Sequence, residues 1–297
     1  MNELDVLAER FENHRDHLRA VAYRMLGSIT EAEDAVQEAW LRLAGADAAG
    51  IDNLGGWLTT VVGRVCLDML RSRRSRSEEP LEPGHLPDPV VIRDGEAGPE
   101  QQALLADSIG MALLVVLESL TPAQRLAFVL HDMFALPFEQ IAPIVDRTPQ
   151  TAKKLASQAR RRVRGEAALP DPDLPRQRRM VEAFLAAARD GDFDALLTLL
   201  DPDVVLRADA GAAVPGGMRV LRGAAVVAGQ AETFRRMARR CVSHPVLVNG
   251  VAGRVNTADG ALVSLMSFTV VGERITAIDI LSDPDRLARL DLGEIVG

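Results

Sequence analysis

The sequence predicts a multidomain chain in which two all-α domains precede a smaller α+β domain. Three observations predict it. Apolar residues recur at helical spacing through most of residues 1–75. An apolar helix, a short helix, a tight turn and a basic helix then follow one another over residues 121–165, the layout of a helix-turn-helix. From residue 176 the order becomes helix, helix, strand, helix and then four β-like runs. The expected boundaries are 1–76 and 100–165 for the α domains, 77–99 and 166–175 for linkers, and 176–297 for the α+β domain.

The bulk properties fit that division. At 297 residues, 47% hydrophobic and 26% charged, the chain has material for two or three cores. Its net charge of −8 argues against sequence-blind coating of nucleic acid, yet residues 121–165 hold eight basic against three acidic side chains. A local DNA contact is therefore allowed there and nowhere else so clearly. Cys66 and Cys241 are isolated and read as small hydrophobes, so neither a metal nor another cofactor is expected. Without a signal peptide or an apolar run of spanning length, the expected location is the cytoplasm and no membrane is expected as a partner.

In the first domain, Leu4–Met25 is an amphipathic helix broken at Leu26-Gly27-Ser28. Thr30 to Glu33 has the spacing of a capping box for the next helix. There Ala32, Ala35, Val36, Ala39, Trp40 and Leu43 form the core stripe, and Asp34, Gln37, Glu38 and Leu41 point outward. A plain solvated face is the simplest reading of those four. After a small-residue loop, Trp57 opens a third helix whose inner positions are Leu58, Val61, Val62, Val65 and Met69. Thr60, Arg64, Asp68 and Arg71 form its polar stripe, and it ends in a cationic cluster with Arg73, Arg74 and Arg76.

Residues 77–120 carry no aromatic side chain and concentrate Glu, Asp, Pro and Gly up to about Gly98, which reads mainly as a solvated tether. Glu100–Leu120 is the first helix of the second domain. A break at Leu136-Pro137 precedes the short helix Phe138–Val145, whose interior Pro143 removes a backbone donor. In the basic helix Thr148 is the N-cap, Pro149 the first helical residue and Gly165 the stop. Ala152, Leu155, Ala156, Ala159 and Val163 share one face. Gln150, Lys154, Ser157 and Arg161 share the other, flanked by Thr151, Lys153, Gln158, Arg160, Arg162 and Arg164. Such a face can hold phosphates and address base edges in a major groove, although a merely solvated basic helix has the same composition.

The last domain begins with an amphipathic helix at Arg176–Asp190 and a short one at Phe193–Leu200. An alternating strand at Asp203–Asp209, a Gly-rich loop and a helix at Gly223–Ala238 follow. The closing β runs are Pro245–Val248, Val251–Val255, Leu262–Val270 and Arg274–Leu281.

Three resemblances cover nearly the whole chain. The string ITEAEDAVQEAWLRL resembles region 2.2 of sigma factors, which implies that Asp34, Gln37, Glu38 and Leu41 meet the β′ clamp helices of RNA polymerase. WLTTVVGRVCLDMLRSRRSR resembles regions 2.3 and 2.4 of the extracytoplasmic-function (ECF) group. That implies a −10 contact through Trp57, Thr60, Arg64, Asp68, Arg71, Arg73 and Arg74, with the 45–57 loop as a base pocket. Trp57 is equally well read as a core residue. Residues 121–165 resemble sigma region 4, which implies a −35 contact through Thr148, Gln150, Thr151, Lys153, Lys154, Ser157, Gln158 and Arg161. Ala135 and Asp146 stand where that pattern commonly has Gly.

The phrase AFLAAARDGDFDALLTLLDPDVVLRAD resembles a SnoaL-type member of the cone-shaped NTF2-like fold. His85 to Pro89 resembles a linker motif of the ECF41-like and SigJ-like sigma factors, and Asp209-Ala210-Gly211-Ala212 is a weaker version of that group's glycine-rich motif. Asp283, Pro284, Asp285, Arg286 and Leu287 match its regulatory tail. The implied function is promoter recognition for RNA polymerase, regulated by the chain's own C-terminal domain. The implied partners are the core enzyme (β′ clamp helices and β flap) and promoter DNA, with a small unidentified ligand in the cone left open. Two alternatives stand beside it. The cone can be an isomerase or cyclase using Asp209, Asp279 or His244, or the chain can be a ligand-sensing helix-turn-helix regulator.

Overall fold

The computed structural model describes residues 3–46, 50–76, 85–94, 110–166, 170–211, 213–290 and 292. The chain divides into two compact units, one made of residues 1–81 and 116–166, the other of residues 82–115 and 167–297.

The first unit begins with helices α1 (Glu3–Leu26), α2 (Ile29–Ala44) and α3 (Leu54–Arg76). Gly27, at φ +72°, ends α1 and donates its N–H to the Tyr23 carbonyl, a conformation that costs glycine little. The α2 stripe Ala32, Ala35, Val36, Ala39 and Leu43 is buried as the periodicity requires, and Trp40 packs half-buried on Phe11 with ring centroids 5.2 Å apart. The capping box expected at Thr30 does not form, because α2 starts two residues earlier, with Ser28 in the N-cap position. Its would-be partner Glu33 instead faces Arg19 and Arg15 across the bundle, at 3.5 and 3.8 Å. A capping box does occur at Thr121, whose hydroxyl accepts from the Gln124 N–H while the Gln124 carboxamide accepts from the Thr121 N–H.

Helix α4 (Met111–Ser119) crosses from the second unit into the first. Then come α5 (Pro122–Phe128), which runs on as a π-turn through Val129–Met133, α6 (Phe138–Val145) and α7 (Pro149–Glu166). The turn residues Ala135 and Asp146 adopt φ +54° and +56°, so the two positions where the pattern favours Gly hold L-residues in the left-handed region. Helix α7 does not stop at Gly165 but continues to Glu166, so that glycine is not the C′ residue expected.

Within this unit the helix-turn-helix packs on the first three helices. Gly63 of α3 lies against Leu130 and Ile144, and the Arg24 guanidinium sits 4.7 Å over the Phe134 ring. Arg125 is buried, with its Nε donating to the Arg24 carbonyl at 3.1 Å. Burial lowers its guanidinium to about 10, which still leaves it charged at neutral pH.

The second unit is built on a seven-stranded sheet. Its strands are β1 (Val91–Arg93), β2 (Leu200–Asp209), β3 (Met218–Arg222), β4 (Val242–Val248), β5 (Val251–Ala258), β6 (Ala261–Val271) and β7 (Arg274–Leu281). The order is β1-β4-β5-β6-β7-β2-β3, antiparallel except for the parallel pair β2–β7. Helices α8 (Leu174–Asp190), α9 (Phe193–Leu199), α10 (Ala224–Ala228) and α11 (Ala231–Arg240) contribute to a core with one face of that sheet. Leu206, Ala252, Phe268 and Ile278 represent the strands there.

Alternation along the strands sends Val246, Val248, Val255, Leu265 and Leu281 to the opposite face. There they meet Met111 of α4 and Leu287 and Leu292 of the tail, which includes α12 (Pro284–Leu287). Two strands were not expected from the sequence. One is β3, and the other is β1, which lies in the segment read as a tether and pairs with β4.

Candidate functional site

Helix α2 presents three of its four expected outward residues openly. Asp34, Gln37 and Leu41 are exposed, Leu41 at 59%. Glu38 is half-buried and accepts from Arg42 Nε at 2.9 Å.

On α3 the expected residues separate into two groups. Arg64, Asp68, Arg71 and Arg74 are exposed, with Asp68 and Arg71 3.8 Å apart. Thr60 spends its hydroxyl on the Gly56 carbonyl one turn earlier. Trp57 is half-buried and lies inside the first turn, because the helix starts at Leu54 behind an Asn53 side chain that accepts the Gly56 N–H at 3.0 Å. Arg73 is engaged within the bundle: its Nε donates to Glu31 at 3.0 Å and its Nη1 to the Leu26 carbonyl at 3.3 Å. It ties α3 to the α1–α2 corner. Of the loop expected as a base pocket, residues 47–49 lie outside the described residues, and the side chain of Arg76 does too.

The α7 face is arranged much as its spacing requires. Ala152, Ala156, Ala159 and Val163 are buried, Leu155 partly so. Thr148, Gln150, Lys153, Lys154 and Arg161 are exposed, and Arg162 and Arg164 extend the same cationic surface. Thr148 caps the helix, its hydroxyl accepting the Thr151 N–H at 3.3 Å. Thr151, Ser157 and Gln158 are half-buried, and Gln158 accepts from Gln124 Nε2 at 3.2 Å. Arg160 is held by Asp132, its Nε 2.8 Å from the carboxylate.

In the second unit one carboxylate gathers three distant segments. Asp209, at the end of β2 and 0% exposed, accepts the Leu86 N–H at 2.8 Å and Arg286 Nη1 at 2.8 Å on one oxygen. Its other oxygen accepts the Gly211 N–H at 3.0 Å and faces His85 Nδ1 at 3.4 Å. Arg286 also donates from Nη2 to the Leu86 carbonyl at 2.5 Å and to Asp88 at 3.0 Å. Its position is set by Asp283, which caps α12 by accepting from the Asp285 and Arg286 N–H groups at 3.0 and 3.3 Å. Gly211 has φ +87°, and a Cβ there would lie 2.4 Å from an Asp283 oxygen.

The rest of the linker is fixed by the same sheet. Val90 and Asn249 exchange hydrogen bonds at 2.8 Å, β1 pairs with β4, and Asp94 accepts from Arg178 Nε of α8 at 2.9 Å. Residues 85–94 are thus an integral edge of this domain, where the composition suggested a tether. Of the tail residues expected to matter, Asp283, Arg286 and Leu287 carry these contacts, with Pro284 as the first residue of α12 and Asp285 in its first turn.

The same parity corrects the enzyme candidates. Asp209 and Asp279 stand on the sheet face opposite the helix-side core, and neither lines the cavity between the sheet and helices α8 and α11. Asp279 is buried against Arg207 at 2.8 Å, and burial raises its carboxyl despite that partner. His244 contacts Thr257 Oγ1 at 3.3 Å and does not line the cavity either. No cluster of three His, Cys, Asp or Glu suited to a metal occurs among the described residues, and none of their helices is long and apolar enough to cross a membrane.

Sequence and fold relationships agree with this division. Residues 10–76 match the Sigma-70 region 2 family and residues 110–163 the Sigma-70 region 4 family. The chain is 35% identical over 303 residues to the "Probable ECF RNA polymerase sigma factor SigI" of Mycobacterium tuberculosis, covering 99% of both chains. It is 43% identical over 215 residues to the ECF RNA polymerase sigma factor SigJ of the same organism, covering 72% of this chain and 68% of that one. The crystal structure of SigJ superposes with a TM-score of 0.76 at 33% identity, over 96% of this chain and 99% of that one.

Proposed function

Because the chain belongs to the ECF RNA polymerase sigma factors, we propose that its second unit controls promoter recognition by gripping the linker between regions 2 and 4. The core enzyme and promoter DNA are its partners by family, and its work is in the cytoplasm with them. In this reading Asp34, Gln37, Glu38 and Leu41 meet the core, Arg64, Arg71 and Arg74 meet the −10 element, and Lys153, Lys154 and Arg161 the −35 element.

The observation that carries the proposal is the buried Asp209 carboxylate, which holds linker and tail together through Leu86 and Arg286. The geometry of the first unit says why such a grip matters. Elements named for positions −10 and −35 are roughly 25 base pairs apart, about 85 Å at 3.4 Å per pair. In the compact unit α3 touches the helix-turn-helix directly, through Gly63 against Leu130 and Ile144. Reading both elements at once requires those surfaces to part and the linker to extend. Residues 77–109 could span about 110 Å if fully extended. Fixing residues 85–94 on the sheet and Met111 on its opposite face shortens that reach.

The core contact is tested by reversing Asp34 and Glu38 to Lys, with Glu9→Lys on the exposed face of α1 as a control. The Asp34 and Glu38 reversals are expected to abolish co-purification with core polymerase while circular dichroism stays native, since Asp34 is exposed and Glu38 half-exposed. Retained promoter-specific initiation would remove the assignment.

A further inference from the structure

The second unit contains a cavity of about 210 Å³ between the sheet and helices α8 and α11. It belongs to the sheet face opposite the Asp209 carboxylate. Phe184, Phe234, Met266 and Ile280 give it apolar walls, and the two Phe rings meet edge to face with centroids 5.5 Å apart. A dry cavity of about 150 Å³ already accepts benzene, so this one has room for a substituted ring.

Its polar end is set by Arg254 of β5, which is 7% exposed. Arg254 Nη2 donates to Glu182 of α8, while its Nε is buried and has no hydrogen-bond partner. Arg254, which lines the cavity, therefore brings to it a cation that its carboxylate partner, the half-exposed Glu182, engages through Nη2. The charges facing that space are Arg254, Arg189 and Glu182, an excess of one positive charge. Asn256 beside them is already oriented, its Nδ2 donating to Ser264 Oγ at 3.0 Å.

We propose that this cavity is a binding site for a small apolar carboxylate of about one-ring size, its ring against Phe184, Phe234 and Met266 and its carboxylate at the Arg254 end. Charge-assisted donation from Arg supplies the specificity, and the walls supply the affinity. Glu182 lies one helical turn from Arg178, which holds the linker residue Asp94, so an occupant acts on the helix that bears the linker. The binding site itself stands on the second unit alone and holds whether or not the linker contact governs transcription.

The chain provides its own reporter. Of its two cysteines Cys66 is fully buried, whereas Cys241 is partly exposed and lines the cavity. Alkylation of native full-length protein therefore reads Cys241, and the silence of Cys66 certifies the fold. Phenylacetate is expected to slow Cys241 alkylation saturably, with a Kd of about 1 mM or tighter, and neutral phenylacetamide to bind at least roughly tenfold more weakly. Arg254→Gln is expected to erase the difference between acid and amide. Ala188→Phe, which fills the cavity from α8, is expected to abolish protection by either. Equal affinity for acid and amide in the unmodified protein overturns the proposal. So does protection by phenylacetate that survives Ala188→Phe, or the lack of any saturable protection below roughly 10 mM.

Discussion

Replacing Arg286 by Ala removes the cation from the polar cluster around Asp209. The Asp209 carboxylate left behind is fully buried, and it keeps only the Leu86 and Gly211 N–H groups and a longer contact to His85. Breaking a buried pair by deleting one partner costs about 3–5 kcal/mol. Arg286 is 14% exposed, which places this case at the lower end, near 3 kcal/mol. Part of that cost falls on the linker directly, since Arg286 also holds the Leu86 carbonyl and Asp88. At about 1.4 kcal/mol per decade the population of the undocked linker rises about 100-fold. Hydrogen exchange measures it at the Leu86 and Val90 amides, which donate to Asp209 and Asn249. Both are expected to lose about two orders of magnitude of protection, while β5 and β6 amides keep theirs. Arg286→Lys, which retains the charge but not the fork, is expected to fall between. Protection at Leu86 and Val90 within threefold of the unmodified protein would refute the assignment of Asp209 and Arg286 as the clasp.

Further expectations concern the first unit. Lys154→Ala or Arg161→Ala is expected to cost about 1–3 kcal/mol at one −35 position if the side chain reaches a base edge, and to weaken all sequences alike if it meets phosphate; binding to −35 variants distinguishes these, and unchanged affinity for every template removes α7 as the reader. Ala135→Gly is expected to stabilise the first unit by about 1 kcal/mol in denaturant melts, because Ala135 is exposed at φ +54° and the strain exceeds the entropy glycine adds. Burial pushes the Cys66 thiol up to about 12, so at pH 8 it carries almost no thiolate; its alkylation is expected to track global unfolding of that unit, and fast native labelling would contradict the packing. Burial also raises the Asp279 carboxyl, so the folded state binds a proton more tightly than the unfolded chain. Its contribution to stability is therefore expected to be present below about pH 4 and to decline as pH rises through the raised value, a slope that Asp279→Asn removes in pH-dependent melts.

The local elements were legible where one face of one segment decides the structure. The 3.6-residue stripes of α2 and α7 and the run Arg274–Leu281 came from spacing alone. Ala135 and Asp146 were visible as departures from glycine, and their positive φ shows why the pattern prefers it. What spacing could not show were partnerships across long separations. Leu86 and Asp209 are 123 residues apart and Arg286 a further 77, so each motif was readable singly and their meeting was not. Strand β1 has three residues in a proline-rich segment and exists because β4 offers it an edge. The alternation along β2 already separated Asp209 from Leu206. Which face bore the cavity depended on the helices that cover it, and that misdirected the enzyme candidates. Arg73 shows the same limit: the cationic run was plain, but its engagement with Glu31 needed the α1–α2 corner.

The central claim is that the clasp on the linker restrains promoter recognition. It is tested most directly by promoter-dependent transcription from purified core polymerase with the full-length protein and with full-length Arg286→Ala at equal, saturating sigma. The account predicts at least threefold more product from Arg286→Ala, because a released linker lets regions 2 and 4 separate to reach both elements. Equal or lower output, with native circular dichroism and equal binding to core, would contradict it.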